Sequence, residues 1–147
     1  MNTHPYIRAY MAGAIVPTLF LIVVLTGFII IRLLLQFPEP LERLIVFPMA
    51  VVPNVFGLWN VLYVRLREGR NYSIGLHGAV LPFVLGPLAS AVASWLGFLK
   101  PANGGILYFG VPVNYGLLAA GFCVAMAIYY LVWKYVVNFF NGVVGIA

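Results

Sequence analysis

Acidic residues are nearly missing from this chain: there is no aspartate, and the glutamates are Glu39, Glu42 and Glu68. All three fall in stretches that read as loops. Carboxylates embedded in a bilayer mark proton and cation pathways, so their absence from the apolar runs argues against ion-coupled antiport. A single cysteine, Cys123, excludes an internal disulfide or a dithiol redox motif, and it suits a small hydrophobic packing role. With two histidines, His4 and His77, a metal site of three or four protein ligands is out of reach. His4 sits on a short tail and makes a poor partner for His77 around a haem, so no cofactor and no catalytic residue is expected. Charge of either sign is scarce, at 7% of 147 residues. A soluble domain carries roughly a quarter, so this chain has too little charge to cover a solvent-facing surface.

What fills the chain is apolar: 64% of residues, with a mean hydropathy of +1.06. Crossing a hydrocarbon core of about 30 Å takes about 20 apolar residues, and the sparse charges leave four such stretches. They lie at about 9–31, 44–64, 78–99 and 105–133, with the start of the last set loosely. A short apolar tail, 135–147, follows. The alternating pattern of a transmembrane barrel strand is not found. The expected fold is an all-α integral membrane protein, a four-transmembrane-helix bundle in one domain, 1–147. The first stretch is too long for a signal-peptide core, and "LLLQFPEPLE" offers no small-x-small cleavage site; we take it as a retained span.

Lysine and arginine in short loops set orientation. Arg8, Arg65, Arg67, Arg70 and Lys134 fall on one side of a four-span topology, against Arg32, Arg43 and Lys100 on the other. Both termini are therefore expected in the cytoplasm, in a bacterial inner membrane. The net charge of +5 then faces anionic lipid. No soluble basic domain exists to present to nucleic acid.

Two short echoes suggest a duplicated hairpin. "VPNVFGLW" at 52–59 resembles "VPVNYGLL" at 111–118, and "GAIVP" at 13–17 resembles "GAVLP" at 78–82. Two parallel copies, about 8–68 and 75–134, would make Pro53 and Pro112 equivalent helix bends. A proline inside a span removes a backbone donor and bends the helix, and a neighbouring group must satisfy the freed carbonyl. Asn54, Asn60 and Asn114 are placed to do so. Pro53, Asn54, Pro112 and Asn114 thus form a candidate intramembrane polar site, with packing as the simpler use of the same residues.

Small residues mark a candidate packing face on the third span: Gly78, Pro82, Gly86, Ser90 and Ser94, every fourth residue. Such faces let helix backbones approach closely. The fourth span offers Gly116, Ala119, Ala120, Cys123 and Ala127. At the inner interface, Asn60, Arg65, Arg67, Arg70 and His77 form a candidate lipid or anion site, since guanidinium forks suit phosphate and carboxylate. The competing use is snorkelling at an ordinary positive-inside boundary. Tyr6, Tyr10, Tyr63, Trp95, Tyr108, Tyr129, Tyr130, Trp133 and Tyr135 fit interfacial aromatic belts.

Three functions are compatible with this inventory. The first is a non-catalytic membrane protein acting by helix association, as a homo-oligomer or with other membrane subunits. The second is a small channel or carrier for a neutral or anionic solute. The third is a protein that binds or modifies lipid headgroups. The lack of reactive groups favours the first.

Overall fold

The computed structural model describes residues 4–36, 41–69, 71–108 and 110–146, with the backbone alone at 35 and 41–47. Helix α1 spans Pro5–Leu35 and α2 spans Leu41–Arg67. Short α3, Ile74–Val80, and α4, Pro82–Trp95, follow. Strands β1 (Leu99–Ala102), β2 (Gly105–Tyr108) and β3 (Val111–Asn114) come next, then α5, Tyr115–Leu131. The last helix continues through a π-helical stretch, Val132–Val137, into α6, Asn138–Val143. Four helical stretches are long and apolar enough to cross a membrane: Pro5–Leu34, Pro48–Arg67, Ile74–Trp95 and Tyr115–Val143.

The expectation of an all-α chain is corrected by the sheet. Strands β1, β2 and β3 form an antiparallel meander in chain order. The first turn is Asn103-Gly104, with Gly104 at φ +76°. A side chain disfavours that conformation, and Asn-Gly is a strong local hairpin signal. The fourth helix therefore starts at Tyr115, where Asn114 Oδ1 accepts the Leu117 N–H at 2.7 Å, and not near 105. The supposed tail, 135–147, is corrected too, because the helix runs on to Val143.

The third apolar stretch is broken where Pro82 lacks an N–H. The Gly78 carbonyl, which an unbroken helix would offer to residue 82, accepts from Leu81 instead, at 3.0 Å. This tighter local bond solves the proline problem without a neighbouring helix. At its other end α4 closes with paired bonds, Phe98 N–H to Ala93 O and Gly97 N–H to Ser94 O. They need a left-handed residue after the helix, and Gly97 supplies it at φ +81°.

The chain divides into two compact units: 1–72 with 136–147, and 73–135. The division falls near the expected hairpin boundaries. Within the first unit α1 and α2 form an extensive pair, and α6 packs on α1. Within the second, α3 packs on α5, while α4 touches α5 much less. The proposed equivalence of Pro53 and Pro112 does not hold. Pro53 lies inside α2, whereas Pro112 lies in β3, paired with Leu107. Proline tolerates an extended edge strand as readily as a kinked helix, so the shared letters "VP" carry no shared conformation.

Candidate functional site

The most polar buried place in the first unit is built on an amide pair. Asn60, on α2, and Asn141, on α6, have no exposed surface. Asn60 Nδ2 donates to Asn141 Oδ1 at 2.7 Å and to the Ala9 carbonyl at 2.8 Å, and Asn141 Nδ2 returns a bond to Asn60 Oδ1 at 3.2 Å. Three helices are joined through two neutral side chains. An unmatched amide in such a place would cost about 1–3 kcal/mol, so the pair selects one register for α6. The helices meet closely because the chain is small here. A Cβ on Gly13 would stand 2.6 Å from the Phe56 carbonyl oxygen and 3.0 Å from Gly57 Cα. Ala9 and Ala12 complete the contact and are buried.

One turn towards the N-terminus of α2, Tyr10 lies across Gly57, where a Cβ would come 2.6 Å from the ring. The Tyr10 hydroxyl donates to Asn54 Oδ1, and Asn54 Nδ2 donates to the Ala50 carbonyl at 2.5 Å. Asn54 does serve helix backbone near Pro53, at the carbonyl of Ala50. The carbonyl that Pro53 leaves unclaimed by its missing N–H belongs to Met49. Asn114, the other amide assigned to a polar site with it, is the cap of α5 in the second unit.

The residues named for an anion site divide between the two units. Arg67 donates through Nη2 to the Ile146 carbonyl, and its guanidinium lies 5.7 Å from the Tyr63 ring centre. Arg65 is exposed, and Arg70 lies outside the described residues. Asn60 is committed to the amide pair. His77 belongs to the second unit, 2% exposed, with its ring edge-on to Trp133 at 5.5 Å. Among the described residues, no three of His, Cys, Asp and Glu come together to hold a metal.

In the second unit, the start of α3 packs on the end of α5. Trp133 is fully buried, and a Cβ on Gly78 would fall 2.1 Å from its ring. Gly75 bears the same relation to Tyr130, at 2.7 Å. The expected packing face is split by these contacts. Gly78 and Pro82 are buried, Gly86 lies 3.5 Å by the same construction from Phe122, and Ser90 and Ser94 are exposed.

Sequence reasoning missed Asn141 and placed Tyr10 and Trp133 in interfacial belts. The available signals were an amide inside an apolar tail and the spacing of Asn54, Gly57 and Asn60 along α2. Chemically, both units offer amides, hydroxyls and rings that suit packing. No family model matches this chain, and no curated protein or solved structure does either.

Proposed function

We propose that this is an integral membrane protein that acts by association through its helices, with copies of itself or with other membrane subunits. The observation that carries the reading is α5: none of its residues from Tyr115 to Leu131 is buried. Its small face, Gly116, Ala119, Ala120, Cys123 and Ala127, is exposed along its whole length, as are Ser90 and Ser94 on α4. Elsewhere the chain uses small residues for close contact, at Gly13, Gly57 and Gly78. Without a hydrophobic drive between helices in lipid, association depends on such close packing and on hydrogen bonds.

The topology that goes with this reading puts both termini and the 65–77 segment in the cytoplasm. In its favour, the first unit brings the start of α1, the end of α2 and α6 together through Ala9, Asn60 and Asn141. Labelling of cysteines at Ser73 and Asn103 should then come from opposite sides of the membrane.

The association test uses a Cys123→Ser background with single cysteines at Ser90 and Ala120. Oxidative cross-linking in native membranes should join copies of the chain or join it to another subunit. Control cysteines at Leu117 and Ile128, exposed but off that face, should cross-link poorly. Native mass spectrometry from nanodiscs then gives stoichiometry. A monomer with no cross-linking above the controls would defeat the proposal.

A further inference from the structure

The register of the meander sorts its residues onto two faces. Successive residues of a strand point to opposite sides, and residues paired across strands share a side. Leu99 pairs with Tyr108, and Tyr108 with Val111; Pro101 pairs with Ile106, and Ile106 with Val113. These six residues, all apolar or aromatic, make one face. Lys100 and Asn114, the polar residues of the three strands, fall on the other, among Ala102, Gly105, Leu107 and Pro112. The apolar face is left partly open, with Val111 61% exposed and Tyr108 46%. Trp95, at the end of α4, is 84% exposed.

Tethering limits where this small sheet can go. A few residues separate Trp95 from Leu99, and Asn114 caps α5 directly. Both neighbours belong to stretches long and apolar enough to cross a membrane. The sheet must then sit at a bilayer boundary, and its depth follows from two opposing demands. Strands β1 and β3 are edges, and hydrocarbon would leave their outward backbone groups unsatisfied. Water would leave the apolar face uncovered. The headgroup boundary meets both demands, since tyrosine and tryptophan favour that level and lysine reaches outward from it.

We propose that the β1–β3 meander lies flat in the membrane interface. Its Leu99–Ile106–Val111 face rests on the acyl chains, and its Lys100 face turns to headgroups and water, so that lipid occupies the open apolar surface. This rests on the reading of the chain as membrane-spanning.

The test is spin-label accessibility in the full chain with Cys123→Ser, reconstituted into vesicles of zwitterionic and anionic phospholipid. Single labels go at Ile106, Val111 and Val113, at Lys100, Leu107 and Pro112, and at Val23 of α1. Oxygen partitions into lipid and a nickel chelate stays in water. The expected result is a higher oxygen-to-nickel ratio at Ile106, Val111 and Val113 than at the other three, giving an alternation from residue to residue along β2 and β3. The exposed neighbours Val111 and Pro112 carry the comparison if labels at half-buried positions disturb folding. High nickel access on both faces would overturn the proposal by placing the sheet in water. Low access to both reagents at Val111 would overturn it by showing a protein cover. A nickel-accessible Val23 would overturn the membrane reading as well, whereas a lipid-accessible Val23 confines any failure to the sheet.

Discussion

The two units each open a helix contact on the sequence Gly-Ala with a proline four residues after the glycine, and they use the glycine differently. Gly13 faces the α2 main chain and the root of one side chain: its missing Cβ leaves room for the Phe56 carbonyl, Asn60 Cβ and Gly57 Cα. Gly78 faces a side chain, the ring of Trp133. Backbone against backbone brings α1 and α2 into an extensive pair, with an amide network between them. In the second unit a ring from the π-helical stretch fills the gap on α3, and α4 and α5 touch little.

The largest expected effect comes from emptying the second kind of contact. Trp133→Ala should cost about 3–5 kcal/mol, as large-to-small changes at buried aromatics do, and hydrogen exchange should quicken at Ile74–Val80. Unchanged exchange there would mean that the ring does not hold the second unit. The next test sets the two glycines against each other. Gly13→Ala and Gly78→Ala should each destabilise by about 1–3 kcal/mol through overpacking, measured by thermal unfolding in detergent. Trp133→Ala should make Gly78→Ala less costly, because it removes the Cγ and Cδ1 atoms that the new Cβ would meet. It should do nothing for Gly13→Ala, whose obstacles, the Phe56 carbonyl and Asn60 Cβ, belong to α2. Equal rescue of both would dissolve the distinction between the units.

The amide pair sharpens the comparison from the side of the first unit. Asn60→Leu should cost about 1–3 kcal/mol by leaving Asn141 without its partner in a buried place. The double change with Asn141→Leu should cost clearly less than the two singles summed, since removing both partners leaves no orphan. Strict additivity would show that the amides act separately. The smallest effect concerns the helix caps of the second unit. Asn114→Ala should cost about 1 kcal/mol and fray the start of α5. Ser73→Ala should cost less, because its bond to the Leu76 N–H is longer, 3.4 Å against 2.7 Å.

Several features are legible in the order of residues alone. Long uncharged runs locate four stretches suited to crossing a membrane, with ends shifted by three or four residues in the first three and by ten at each end of the fourth. Asn103-Gly104 is a readable turn signal, but the strands it joins are four residues long, too short to show alternation inside an apolar run. The echo of "VPNVFGLW" and "VPVNYGLL" misleads for a related reason. Proline permits both a bent helix and an edge strand, and the residues around it do not say which.

By itself, the sequence determined that the chain is mostly helical and where its four apolar helices approximately lie. Length and transfer free energy are additive along the chain, so they need no knowledge of partners. The tertiary structure decided that Asn60 answers Asn141 across 81 positions. It also decided that Gly78 receives Trp133 and that Tyr10 lies over Gly57. Those outcomes depend on which side chains meet when helices are brought together, and a local pattern carries no term for a contact between distant residues.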